Sequence, residues 1–408
     1  FGFSAYESAQ MFDHLNLDFT MLIPLILLVL LRRVKGKAQR LTTVFWLAIF
    51  LAAQFLISEE IFATFVLFGG IGFVLAFALL PAYRGALRAL AVDGLCALPV
   101  VLLLVSPLLI AMFAGPYDVA HPAKWPHMFS NDLLNILLPT QATALGGALA
   151  APITRRFTGG LDEQGGYLGL PVVLLLGMAG REFWGDRRLR ILFLMLGILL
   201  VASLGPRLVV AGYNTGVVLP WAVLLHLPLL SAALPARVML YASLVVAIIV
   251  AGWVAQDLRR RYLLGVVACL SLVPVLHPVS SAPALEFFRP GRVEAALGPS
   301  PRLLILPFGI AGKSSYWQQE NNFGFTQVGG YLGFPPKAQQ AYPAVMQMFS
   351  NTFFDHFPAD LAAYCQSSGA QYVIATPGTV AGEWAALRSL GWPARKVDDV
   401  TIFTVPRA

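Results

Sequence analysis

Charge is what this chain has least of: Asp, Glu, Lys and Arg make up 12% of its 408 residues, against 58% hydrophobic ones. Mean hydropathy is +0.72, and a soluble domain of that composition would lack the polar surface to cover itself. Cysteine is almost absent. Cys96 and Cys269 lie in apolar runs and Cys365 stands alone near the C-terminus, so neither a disulfide framework nor a metal-ligand spacing is present. There is no GxxxxGK[ST] phosphate loop, no HExxH, no GxSxG and no CxxC, which removes nucleotide hydrolysis, zinc peptidase and serine hydrolase readings. The apolar runs carry no string of charges for a proton relay. No motif calls for a cofactor, and a divalent metal is compatible with the sequence without a legible ligand set.

What the chain has instead is long apolar runs: Leu15 to Leu31, Leu41 to Ile57, Ile61 to Leu80, Leu90 to Ala114, Leu168 to Trp184, Leu189 to Leu204, Ala236 to Ala255 and Tyr262 to Leu276. Most are long enough to cross a hydrocarbon core of about 30 Å as helices, the shorter ones by borrowing flanking residues. About eight transmembrane helices are therefore expected. Half of the 28 Lys and Arg sit in four connectors, at Arg32 to Arg40, Arg84 to Arg88, Arg181 to Arg190 and Arg259 to Arg261. If the runs alternate, all four connectors share one side, which the positive-inside rule makes cytoplasmic. The net charge of +7 then orients helices and meets anionic lipid; no nucleic-acid partner is implied.

The expected organisation is a transmembrane helical domain over residues 1–278 with outer loops 115–167 and 205–235, a linker over 279–300 rich in Pro and Gly, and an extracytoplasmic α/β domain over 301–408. In the last, RLLILPFG and QYVIATP read as buried strands, Lys337 to Ser350, Pro358 to Ser368 and Thr379 to Leu390 as helices with Gly391 as a stop, and Val400 to Val405 as a closing strand. Val217 to Leu234, broken by Pro220 and Pro228, reads as a re-entrant or interfacial helix. The loop after Pro116 is about fifty residues, a length that is functional or disordered. The opening FGFSAYESAQMFDHLNL reads as the end of an earlier membrane element, so an upstream portion is expected. Gly165 to Pro171 (GGYLGLP) and Gly329 to Pro335 (GGYLGFP) echo one another, either as two turns or as parts of one site.

Acidic residues concentrate on the outer side. Glu59 and Glu60 occupy a tight connection inside an otherwise uncharged stretch, where ionisable groups read as functional; equally, Ser58 can cap the next helix with both glutamates at its positive end. Asp18, following His14 and Asn16 just inside the first run, poses the same choice. Arg237 and Arg207 begin and end spans on the side poor in cations and suit bidentate contact with a lipid phosphate, with snorkelling to headgroups as the competing role. His226 sits in the proline-broken segment as a packed or hydrogen-bonded side chain of the outer cavity rather than a ligand.

Phe1-Gly-Phe-Ser-Ala-Tyr6 with His14-Leu-Asn-Leu17, Gln54-Phe-Leu-Ile-Ser-Glu-Glu60, Leu138-Pro-Thr140, Gly166-Tyr-Leu-Gly-Leu-Pro171, Ser203-Leu-Gly-Pro206, Leu234-Pro-Ala-Arg237, Leu306-Pro-Phe308 and Gly329-Gly-Tyr331 follow one another in an order that resembles bacterial multi-spanning glycosyltransferases of the GT-C class. The resemblance implies transfer of a sugar from a polyprenyl-phosphate carrier to an extracytoplasmic glycan, lipid or protein acceptor, at the outer face of the cytoplasmic membrane. It also implies a soluble extracytoplasmic domain after the spans. The catalytic carboxylate of such enzymes lies in the first outer loop, which has no counterpart here, so no catalytic residue is carried over; Arg237 and Arg207 would meet the lipid phosphate. The rival readings are a transporter or flippase of lipid-linked sugars, and a non-catalytic membrane subunit whose C-terminal domain binds partners.

Overall fold

The structure, a computed structural model, describes residues 1–11, 14–114, 125–227, 230–275, 284–309, 312–330 and 335–406. The chain divides into two compact units, one on each side of His277. The first is helical. Short helices α1 (Ala5–Gln10) and α2 (Leu15–Asp18) lead into α3 (Leu22–Val34), α4 (Arg40–Ile57), α5 (Glu59–Leu79) and α6 (Arg84–Ala114), and α7 (Trp125–Met128) and α8 (Gly147–Thr154) follow. Then come α9 (Leu170–Phe183), α10 (Arg187–Ser203), the hairpin β1 (Arg207–Val210) and β2 (Tyr213–Val218), α11 (Trp221–Leu224), α12 (Met239–Gln256) and α13 (Leu258–Ser271).

Among the described residues five stretches are long and apolar enough to cross a membrane: Leu15–Val34, Arg40–Ile57, Glu59–Leu79, Pro81–Ala114 and Pro235–Gln256. The other three expected spans are helices too, but α9, α10 and α13 have only 14, 17 and 14 residues. At 1.5 Å per residue each is under about 30 Å long. Charged residues of the five stretches lie toward their ends, except Asp93, about a third of the way along α6. At one end Asp93 of α6, 1% exposed, takes Arg33 from the last turn of α3 (2.5 Å) and Arg40 from the start of α4 (3.2 Å). At that end too, Arg261 of α13 reaches Glu182 of α9 at 2.9 Å and lies 4.1 Å over the Trp253 ring. Arg33, Arg40 and Arg261 of the basic connectors are thus tied to acids near them. Near the starts of α5 and α12 the Thr64 and Tyr241 hydroxyls are 2.8 Å apart and Tyr241 donates to the Ile61 carbonyl at 2.7 Å, joining the two helices; each such bond between membrane helices contributes about 0.6 kcal/mol.

Val217 to Leu234 is not one broken helix. Its first residues finish β2, and Pro220 then stands before the four-residue α11, because a proline is tolerated ahead of a helix but not inside one; Pro228 lies outside the described residues, as does Asp118 in the long loop. The hairpin closes on Ala211 and Gly212, both at positive φ. A Cβ on Gly212 would stand 2.2 Å from the Arg156 carbonyl, so no other residue fits that turn. Asp132, 2% exposed, accepts the Ala211 and Gly212 amides at 3.0 and 2.7 Å and pins the turn. The described part of the long loop, from Trp125 onward, is ordered around α7, α8 and the 3₁₀ turns Leu133–Ile136 and Leu161–Glu163.

The second unit contains α14 (Arg292–Leu297), β3 (Arg302–Leu306), α15 (Ser314–Glu320), β4 (Thr326–Gln327), α16 (Lys337–Gln340), α17 (Pro343–Ser350), α18 (Phe357–Ser368), β5 (Tyr372–Ala375), α19 (Ala381–Leu390), β6 (Ala394–Val397) and β7 (Val400–Thr404). Five strands form one sheet in the order β4-β3-β5-β7-β6. β3 pairs parallel with β4 and β5, and β7 antiparallel with β5 and β6. The unbroken apolar run of β3 follows from burial on both faces. Leu304 and Leu306 pack with Val345, Phe357, Leu361 and Leu387 on one side; Leu303 and Ile305 pack with Phe287, Phe288, Val293 and Trp317 on the other.

That second face corrects the linker expected over 279–300. Leu285, Phe287, Phe288 and Val293 are 8, 0, 1 and 0% exposed, the rings of Phe288 and Trp317 stack 5.2 Å apart, and the Glu286 amide donates to Asp399 at 2.7 Å. Residues 285–297 are core of the α/β unit. Cys365 is wholly buried in α18, and burial pushes its thiol up to about 12.

Candidate functional site

The end of the helical unit opposite Asp93 holds a buried polar group built from five segments. Ser58 caps α5 by accepting the Ile61 amide at 3.3 Å, which fixes the first turn and the glutamates in it. Glu59 stays half-exposed with no side-chain partner among the described residues. Glu60 turns inward, and its Oε1 accepts the Leu234 amide at 2.6 Å. The 3₁₀ turn Pro235–Val238 then brings Arg237 to the start of α12.

The Arg237 guanidinium lies between two carboxylates. Its Nη1 donates to Glu60 Oε2 and its Nη2 to Glu163 Oε1, and its Nε lies 2.9 and 3.2 Å from the two Glu163 oxygens. The arginine side chain is 13% exposed, that of Glu163 2% and that of Glu60 20%. Burying charges is tolerated when pairing and hydrogen bonding are this complete. Arg237 is therefore held by protein acids, and a lipid phosphate would have to displace one of them to gain its fork.

Around this pair α1 supplies a second polar layer. Tyr6 is 1% exposed and Gln10 likewise; burial holds the Tyr6 phenol well above its usual value, with Arg237 pulling the other way. Gln10 Nε2 donates to the Asp162 carbonyl at 2.9 Å and lies 3.4 Å from Glu163 Oε2. Glu7 accepts the Thr20 hydroxyl at 2.6 Å. Burial raises the Glu7 carboxyl to about 8, opposed by Thr20 and reinforced by neighbouring Asp18. α1 fits here because Gly165 lets the following loop touch it: a Cβ at Gly165 would meet Tyr6 Cα at 2.7 Å. This assigns the first GGYLGLP segment a packing role. Its echo at Gly329 sits against Tyr364 and Phe308, and Tyr331 to Phe334 lie outside the described residues.

Of the residues singled out from sequence, the structure brings His14, Glu60 and Arg237 to this end, with Asp18 beside Glu7. His14 Nδ1 is 3.7 Å from Asp162 Oδ2. Arg207 is exposed at the start of β1 and His226 is exposed after α11; neither joins the buried group. Sequence reading missed Glu163, Asp162, Gln10 and Tyr6 as members. The one available signal was an acidic pair set between Gly159-Gly160 and Gly165-Gly166 in an acid-poor loop. Comparison with protein-family models, curated proteins and solved structures finds no match.

Proposed function

We propose that this chain is the multi-span part of a GT-C-like glycosyltransferase, transferring sugar from a polyprenyl-phosphate donor to an acceptor outside the cytoplasmic membrane. In this reading eight helices cross the bilayer and the acidic end faces outward. The observation that carries it is the pairing of two charge patterns on one bundle: arginines of the basic connectors at one end, two of them on Asp93, and a buried carboxylate-rich group at the other. A donor whose apolar tail lies among lipid needs a polar site at the end of the helices for its head. Carboxylates in excess over cations there can orient and polarise an acceptor hydroxyl. Arg237 organises the acids, and the exposed Arg155, Arg156 and Arg207, which have no side-chain partner among the described residues, are the cations free to meet the phosphate. A flippase would place polar groups along a path near the bilayer midplane, whereas charge in the five long stretches lies toward their ends apart from Asp93, which is held by two arginines.

The test is incubation of the full-length protein in proteoliposomes with a panel of labelled polyprenyl-phosphate sugars and a set of hydroxyl acceptors (glycan, lipid and peptide), following label from donor to acceptor. Release of free polyprenyl phosphate is expected. Substituting Arg155, Arg156 and Arg207 together with alanine should weaken donor binding, by about tenfold for each 1.4 kcal/mol of charge-assisted hydrogen bonding that the guanidinium groups supply. Absence of release from any donor, or movement of intact donor across the bilayer, would sink the proposal.

Orientation is tested separately. Because Cys365 is buried, an impermeant thiol reagent should not reach it in folded protein from either side. Ser300→Cys, at an exposed position, should label in intact spheroplasts if the α/β unit lies outside; labelling only after lysis reverses the topology.

A further inference from the structure

The acidic end contains polar atoms that the Arg237 ion pairs do not use. His14, Asp162 and Glu163 each present a ligand-type atom, and these lie within 4.8 Å of one another. His14 Nδ1 is buried, has no hydrogen-bond partner, and at 3.7 Å from Asp162 Oδ2 is too far for one. Gln10, 1% exposed, is anchored by its Nε2 on the Asp162 carbonyl and Glu163, which brings its carboxamide to two of the three residues. Its Oε1 has no partner either. Formal charge points the same way: Glu60, Asp162 and Glu163 carry three negative charges against one positive charge on Arg237, so a dication brings the group to neutrality.

We propose that His14, Asp162 and Glu163, with the Gln10 carbonyl beside them, bind a divalent transition metal. An imidazole nitrogen among carboxylate oxygens suits Zn²⁺ or Mn²⁺, whereas Ca²⁺ and Mg²⁺ take oxygen ligands throughout. Glu163 can serve both sides. Its Oε1 takes the closer Arg237 contacts, while Oε2, 3.2 Å from Arg237 Nε and 3.4 Å from Gln10 Nε2, is the less engaged oxygen and is free to turn to the metal. The carboxylate then bridges the cation and the guanidinium and screens their repulsion. Binding needs neither sugar nor lipid donor, so the site stands or falls apart from the transfer reaction.

The experiment is titration of the chelator-treated full chain in detergent with Mn²⁺, followed by electron paramagnetic resonance. One bound Mn²⁺ per chain is expected, displaced by Zn²⁺, with a nitrogen coupling in the spin-echo spectrum that His14→Gln abolishes. His14→Gln and Asp162→Asn should each weaken binding at least about tenfold, while Lys396→Ala, at an exposed position of β6, leaves it unchanged. Both site variants keep side-chain size, and metal-free melting curves check that each is folded. No stoichiometric Mn²⁺ or Zn²⁺, or equal affinity in folded Asp162→Asn, overturns the site.

Discussion

Arg237→Ala is expected to destabilise the helical unit by about 3–5 kcal/mol, the cost of breaking a buried ion pair from one side. The guanidinium spans Glu60 and Glu163, and without it two carboxylates are left facing one another where water reaches only the rim. They would be forced to take up protons or to draw in solvent, and the start of α12 would lose its tie to α5 and to the Leu161–Glu163 turn. Tryptophan-fluorescence melting in detergent or nanodiscs should show a drop of several degrees. A second variant separates charge from packing: Arg237→Met combined with Glu60→Gln and Glu163→Gln leaves no orphan charge and should recover much of the loss, since neutral replacements of a whole buried network are often tolerated. A single variant that melts with the parent protein would mean that the three side chains are not paired in the folded chain.

The same arrangement shows why this site was only half legible. Arg237 stood out as a lone cation in apolar sequence, and Glu60 as one of an acidic pair at a helix start, but nothing local joins residues 177 positions apart. Glu163 is 74 positions from Arg237, in a loop whose fold depends on Gly165 packing on Tyr6. A buried arginine asks first for a carboxylate of its own chain, because a permanent partner offsets its desolvation before any ligand arrives. That logic, applied to the outer acids, would have favoured a protein partner over the lipid phosphate expected from sequence.

Elements whose signal is periodic or continuous were readable. β3 was evident from RLLIL because a strand covered on both faces needs an unbroken apolar run, and α19 from its spacing and its stop at Gly391, which takes the left-handed conformation that ends helices. α9, α10 and α13 were correctly placed as apolar helices, yet hydropathy alone could not fix their lengths, since their ends are set by Arg-rich turns and by packing. The segment 279–300 misled for a different reason. Its Pro and Gly correctly signalled the absence of a long helix, but a short 3₁₀ turn can still bury two phenylalanines.

That segment decides where the α/β unit begins. A fragment of residues 284–408 should fold in isolation and unfold cooperatively, whereas one starting at Ser300 should fail to hold the same structure. The shorter fragment loses Phe287, Phe288 and Val293, all at most 1% exposed, and bares the β3 face formed by Leu303 and Ile305 together with Trp317. Fully burying a single side chain of this kind is worth roughly 1.5–3 kcal/mol, so three of them amount to much of the roughly 5–15 kcal/mol that holds a domain together. The Asp399 carboxylate would also lose the Glu286 and Phe287 amides it accepts, leaving the β6–β7 turn unanchored. Urea unfolding followed by circular dichroism and tryptophan fluorescence distinguishes the cases: one coincident transition for 284–408, and for 300–408 either aggregation or a broad, probe-dependent loss of signal. Equal midpoints for the two fragments would show that residues 285–297 only decorate the sheet, and that the boundary lies at Ser300 after all.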